Sequence, residues 1–271
     1  MIISFVCEFA TKASYPYTKH MKKPIVTVKD FSLTIAEKEI VKELNFDIMP
    51  GEIFAFLGSN GSGKTSTIRS LLGIYQATTG SLLVNGEKLT PENASIVGYL
   101  PEERGLYTRS KVLDVMVYFG ELKGMTRDAA KEFSLAYLER VELADKANLK
   151  LKKLSGGQQQ KIQLGVAIMG DPKLLILDEP TKGLDPVNRK LLLDIVDELQ
   201  KKGTAVIYIT HLMEEVERLA HRLLILKDGR ARAYGTVAEV KKEFKSKSIE
   251  DIFVQIYKEK SQELSTGVSH V

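Results

Sequence analysis

The sequence is short of several things, and each absence narrows what it can be. Its 271 residues include a single cysteine, Cys7. No intrachain disulfide can form, which suits a reducing compartment. No apolar run approaches the roughly 18 residues needed to cross a bilayer as a helix, so any spanning helices must come from another chain. Charge of one sign is also scarce. The net charge is +4, and +3 of it sits before Pro24, where Lys12, Lys19, Lys22 and Lys23 face only Glu8. The rest is nearly neutral, so charge gives no sign of a nucleic-acid surface. The opening MIISFVCEFA has no basic residue ahead of its short apolar run and makes a poor secretion signal. There is no internal repeat and no low-complexity stretch. Residues 1–23 are expected to be a disordered extension.

What is present reads as one α/β unit. Pro24 to Ile48 is rich in strand formers and reads as antiparallel strands. Strands are expected at Glu52–Leu57, at Ser81–Val84 before an Asn85-Gly86 hairpin turn, and at Ile96–Leu100. Helical spacing follows over Val112–Lys123 and Arg127–Val141, and a further helix is expected over Gln158–Gly170. Leu174–Leu177 is a continuous apolar run, typical of a parallel strand buried on both faces. Pro186–Lys202 and Met213–Ala220 read as helices around a strand at Ala205–Ile209. Arg222–Leu226 and Arg230–Tyr234 read as a hairpin, and the tail after Gly235 as two short amphipathic helices.

Three motifs carry chemistry. Between the strand ending at Leu57 and a helix expected from Thr65 lies GSNGSGKT, which fits G-x-x-x-x-G-K-[ST]. Gly58, Gly61 and Gly63 let successive backbone N–H groups point into one hollow that takes a phosphate oxygen, helped by the positive end of the helix. Lys64 reaches the β- and γ-phosphates, and Thr65 offers a hydroxyl to Mg²⁺. In LLILDE, Asp178 stands at the carboxyl end of a buried strand, where it can hold Mg²⁺. Glu179 beside it can orient or deprotonate water. LSGGQ, from Leu154 to Gln158, opens a helix. Ser155 is a good cap and the two glycines expose N–H groups, which makes a second anion site on a different element. The bland readings are a glycine-rich turn, an acidic strand end and a plain helix cap. All three motifs together, in this order, argue against them.

At these residues the chain resembles the nucleotide-binding subunit of the ABC transporter family, over roughly Ile25 to Tyr257. LSGGQ looks like that family's signature, Gly183 to Asp185 like its D-loop, and His211 like its switch histidine. GYLPEERGLY, at Gly98 to Tyr107, resembles the loop joining core and helical subdomain in the branch serving sodium, drug or polysaccharide exporters.

The resemblance implies a phosphate-loop NTPase fold. A RecA-like mixed sheet flanked by helices would carry an antiparallel β subdomain and a helical subdomain. The ATPase domain would span 24–235, with the helical subdomain inserted at about 103–157 and a helical tail over 236–271. ATP and Mg²⁺ are the implied cofactors. ATP would lie on Gly58, Ser59, Asn60, Gly61, Ser62 and Gly63, continuing through Lys64, Thr65 and Ser66. Ser155, Gly156, Gly157, Gln158 and Asp185 would reach it from a second nucleotide-binding subunit, identical or related. Thr65, Asp178 and Glu102 would hold the metal, and Glu179, His211 and Lys64 would be catalytic. The implied partner is an integral membrane permease, at the cytoplasmic face of the cell membrane, with no nucleic acid expected. The joining loop leans toward export.

This chain departs from the family pattern at three places. Glu102 stands where a glutamine is usual. Ile35 stands where an aromatic residue usually stacks on adenine, with Phe31 close by. Lys182 stands at a spot that is more often small or polar, and reads as a solvated charge. Two other readings are open: a soluble ATP-driven switch acting on ribosomes or DNA, and an ATP-binding regulatory module that does not turn over.

Overall fold

In the computed structural model, residues 23–103 and 105–258 are described. The expected disordered extension, Arg104 of the joining loop and the last 13 residues of the tail lie outside them.

Two sheets organise the chain. Strands β1 (Val26–Ile35), β2 (Lys38–Ile48) and β4 (Thr79–Val84) form an antiparallel sheet in the order β2-β1-β4. The main sheet contains β3 (Ile53–Leu57), β5 (Val97–Leu100), β6 (Leu174–Asp178), β7 (Ala205–Ile209), β8 (Arg222–Lys227) and β9 (Arg230–Thr236). Their order is β5-β6-β7-β3-β8-β9, parallel from β5 to β8 and antiparallel between β8 and β9. This is the mixed sheet that the family resemblance implied.

Every residue of β3, β6 and β7 is buried, which is why these strands read as unbroken apolar runs. Successive side chains of β3 take opposite faces. Phe54 and Phe56 join Phe46, Ile68 and Ile207 under the antiparallel sheet. Ala55 and Leu57 face Val216, Leu223 and Ile225 on the other side.

Helices fill the connections: α1 (Lys64–Leu71), α2 (Val112–Leu122), α3 (Arg127–Arg140), α4 (Gly156–Ile168), α5 (Pro186–Lys201), α6 (Met213–Leu219), α7 (Val237–Glu243) and α8 (Ile249–Lys258). Helices α2, α3 and α4 pack around Met116, Leu138, Val141 and Ile162, and share one core with Leu175, Leu177 and Tyr208 of the main sheet.

Two local expectations change. Helix α4 starts at Gly156, two residues before the expected Gln158. Ser155 caps it and Gln158 closes a capping box, so the glycines form its first turn. Asn85 and Gly86 do turn, both at positive φ, but the turn closes only a single bridge between Val84 and Glu87. β4 pairs instead with β1, Val84 opposite Val26, because that pairing buries Leu82 and Val84.

Candidate ATP site

The phosphate loop follows β3 directly. Gly58 has φ 157°, and a Cβ there would come within 2.6 Å of the Leu226 carbonyl oxygen. Gly63 has φ 111°, and a Cβ would meet the Ile40 carbonyl at 3.1 Å. Both positions therefore require glycine, and the loop is held between β2 and the β8–β9 turn. Two further bonds fix its arch: Ser62 N–H to Ser59 O at 3.2 Å and Gly229 N–H to Ser62 O at 3.1 Å.

Lys64 donates to the carbonyls of Gly58 and Ser59 at 2.7 and 3.0 Å. Burial pushes its ammonium pKa down, opposed by Asp178, Glu179 and Glu102. Thr65 is exposed and Ser66 half-buried, while Ser62 is buried. Gly58 to Gly61 and Gly63 to Ser66 border an open cleft of about 1010 Å³, whereas Ser62, expected on the phosphates, turns its side chain inward and does not line it.

The opposite wall comes from three strand ends. Asp178, at the end of β6, is buried, and its carboxyl pKa is pushed up to about 6. Desolvation is the main cause, followed by repulsion from Glu102 and Glu179, with Lys64 and Arg69 opposing. Glu179 follows in a left-handed conformation, φ 50°, with its N–H bonded to Ile209 O at 2.9 Å. A non-glycine residue held there costs about 1–3 kcal/mol and turns up often at functional sites. Its Oε2 lies 2.8 Å from His211 Nδ1. Glu102, from the loop after β5, also lines the cleft, and Lys182 Nζ pairs with its Oε1 at 2.7 Å. Lys182 is therefore not a free solvated charge. It partners the carboxylate that replaces the usual glutamine, and that hydrogen bond raises the Lys182 pKa.

The donor set fits magnesium. Thr65, Asp178 and Glu102 offer oxygen ligands to one cleft, the hard donors that magnesium takes. Among the described residues no cluster of three or more His, Cys, Asp or Glu could hold a metal alone. Phosphate oxygens would have to complete the shell.

The base side differs from expectation. Phe31 is fully buried in the core and is unavailable for stacking. Ile35 is exposed at the end of β1, while Lys38 and Ile40 of β2 line the cleft.

Ser155, Gly156, Gly157 and Gln158 border a second cleft of about 490 Å³, together with Gly183 and Asp185. The capping box ties Ser155 N–H to Gln158 Oε1 at 2.9 Å and Gln158 N–H to Ser155 Oγ at 3.3 Å. Asp185 caps α5 by accepting from the N–H groups of Val187 and Asn188, each at 3.0 Å, and these bonds hold its carboxyl pKa low. The two clefts share no lining residue.

One buried hub was not legible in the sequence. The Glu215 carboxylate accepts from Tyr208 OH at 2.7 Å, Thr181 Oγ1 at 3.1 Å and Thr210 Oγ1 at 3.4 Å, and lies 3.7 Å from Arg189 Nε. It braces the loops carrying Glu179 and His211 against each other. Its place in an ordinary amphipathic helix gave no signal.

A parallel sheet whose strand ends present a phosphate loop, a buried aspartate and an adjacent glutamate defines a phosphate-loop nucleotide-binding protein. Known proteins narrow this. The chain matches the profile of the ABC transporter family over residues 41–182. It is 42% identical over 218 residues to an uncharacterised ABC transporter ATP-binding protein of Methanocaldococcus jannaschii, covering 80% of each chain. It is 37% identical over 207 residues to the linearmycin resistance ATP-binding protein of Bacillus subtilis, covering 75% of this chain and 67% of that one. It is 38% identical over 203 residues to a Nod factor export ATP-binding protein of Paraburkholderia xenovorans, covering 73% and 66%. A solved ATP-binding subunit of an ABC transporter superposes with a TM-score of 0.82 at 26% identity, covering 86% of this chain and 99% of that one. The chain belongs to the ABC transporter family, as an ATP-binding subunit that hydrolyses ATP.

Proposed function

We propose that this subunit drives export through a separate membrane permease, and that its working ATP site is shared between two nucleotide-binding subunits. The observation that carries the reading is that the two clefts have separate linings, residues 58–61 and 63–66 in one and 155–158 with Asp185 in the other. One chain offers two anion sites with no lining residue in common, which supports their serving different nucleotides. A second subunit, identical or related, would bring its Ser155–Gln158 helix end and Asp185 over the first subunit's phosphate loop.

In the closed site, backbone N–H groups of Gly58 to Ser66 and the Lys64 ammonium would hold the phosphates. Magnesium, held by Thr65 and Asp178 with Glu102 nearby, would neutralise phosphate charge when bound. Glu179 would take a proton from the attacking water as its oxygen bonds to the γ-phosphorus and the bond to ADP breaks. His211 would hold Glu179 and the γ-phosphate in line. The 2.8 Å contact between His211 and Glu179 supports this pairing. Export as the direction is supported by the relatives named for linearmycin resistance and Nod factor export. Among the described residues no helix is long and apolar enough to cross a membrane. The partner supplies the channel and holds this subunit at the inner membrane surface. No observation on this chain favours a switch acting on ribosomes or DNA.

Glu179→Gln tests the assignment. ATP affinity should stay within about threefold, while turnover falls at least about 100-fold. Normal hydrolysis by this variant would refute the role of Glu179.

A further inference from the structure

Helix α8 lies far beyond residues 41–182 of the family match, yet it packs against the phosphate loop. Ile249, Ile252 and Ile256 bury one face against Leu223 and Ile225 of β8 and Val216 of α6. Its first turn is anchored by Ile249 N–H to Glu217 Oε1 at 2.7 Å, and Glu217 also pairs with Lys241 at 3.0 Å. The other face carries Glu250, Phe253 and Val254 into the wall of the ATP cleft.

The last turn makes the direct link. Tyr257 OH donates to Leu226 O at 2.7 Å and accepts from the Ser59 N–H at 2.8 Å. One hydroxyl thus bridges the end of β8 to the first turn of the phosphate loop. Two neighbours pack on the ring. Phe253 stacks on it with centroids 4.5 Å apart, and the Lys227 ammonium lies 5.5 Å from its centroid. Lys227 also donates to Ile256 O, locking the helix end to the same strand.

Ser59 is the hinge between Gly58, which only glycine can occupy, and the exposed arch at Asn60 and Gly61. Its carbonyl accepts from both Ser62 N–H and Lys64 Nζ. An acceptor fixed against the Ser59 N–H therefore fixes the peptide planes that aim the loop's phosphate-facing groups. We propose that Tyr257 is a positioning residue of the ATP site, through which the C-terminal helix holds the phosphate loop in its binding geometry. This rests on the reading of Gly58 to Thr65 as the phosphate cradle.

The experiment compares wild type, Tyr257→Phe and Lys64→Ala in the full chain. Affinities for ATP and for inorganic tripolyphosphate are measured by calorimetry, together with steady-state kinetics and thermal unfolding. Tyr257→Phe keeps the ring, its stack on Phe253 and its contact with Lys227, and removes only the hydroxyl. The expected result is an affinity loss of about two- to tenfold, the scale of one hydrogen bond, equal for both ligands. KM for ATP should rise by the same factor with kcat within about twofold, and the unfolding midpoint should fall by no more than about 2 °C. Wild-type affinity in Tyr257→Phe, with Lys64→Ala still impaired, would overturn this inference and leave the phosphate-cradle reading standing. A loss confined to ATP, or tracking a large drop in unfolding temperature, would also overturn it. Unimpaired binding by Lys64→Ala would overturn both.

Discussion

Around Asp178 the charges of Lys64, Glu102, Glu179 and Lys182 meet in one cleft. The Glu102–Lys182 pair is half exposed, and such pairs are worth about 0–1 kcal/mol in stability. Its consequence lies in binding. Lys182 offsets a negative charge that would otherwise face the phosphates. Lys182→Met should weaken ATP binding about two- to fivefold, and Glu102→Gln should strengthen it by a similar factor. The double variant should return near wild type. Equal affinities for all three would show that the pair lies outside the nucleotide's field. Sequence alone exposed Glu102 as a departure from pattern, but not its compensation, because the two residues are 80 positions apart. The phosphate loop, Asp178 and Glu179 were legible for the opposite reason. Each motif is a contiguous run whose chemistry is set by its neighbours. Glu215 and Tyr257 act through partners brought together only by folding, so nothing local marks them.

At the scale of elements, the central strands and their helices followed from apolar patterning. The exceptions came from pairing over distance. β4 chose β1 over a local hairpin, and α8, read only as an amphipathic tail, found its face on β8 and the phosphate loop. Helix α4 ends under a similar long-range tie. Lys123 donates to the carbonyls of Ala167 and Met169 at 2.6 and 3.1 Å, and burial pushes its pKa from 10.5 to about 8. A lysine depressed in the folded state binds its proton less well there than in the unfolded chain. Stability should therefore rise as pH climbs from about 8 to about 10.5, by at most about 3 kcal/mol. Urea unfolding of wild type should show this rise, and Lys123→Met should lack it. Parallel pH profiles for the two proteins would contradict the assignment.

At the scale of the whole molecule, two surfaces besides the cleft stand out among the described residues. One is an aromatic patch on the joining loop and α2. Tyr107, Tyr118 and Leu122 are 58%, 44% and 63% exposed, and Phe119 packs among the tyrosine rings. Exposed apolar clusters of this kind mark contact sites. Under the proposed function, this patch is the expected contact with the permease. Tyr118→Glu should abolish co-purification with the membrane partner while ATP affinity of the subunit stays unchanged, and retained co-purification would move the contact elsewhere.

The second surface is the Ser155–Gln158 cleft, and the claim that it acts on ATP bound by another subunit is central. Ser155→Ala tests it most directly, with nucleotide affinity of the isolated chain and turnover by the assembled transporter measured on the same variant. Affinity should match wild type, while turnover falls about 100-fold, the scale of losing one donor at a charged reaction centre. A loss of affinity in the isolated chain comparable to that of Lys64→Ala would contradict the account, because both loops would then serve one nucleotide in a single subunit.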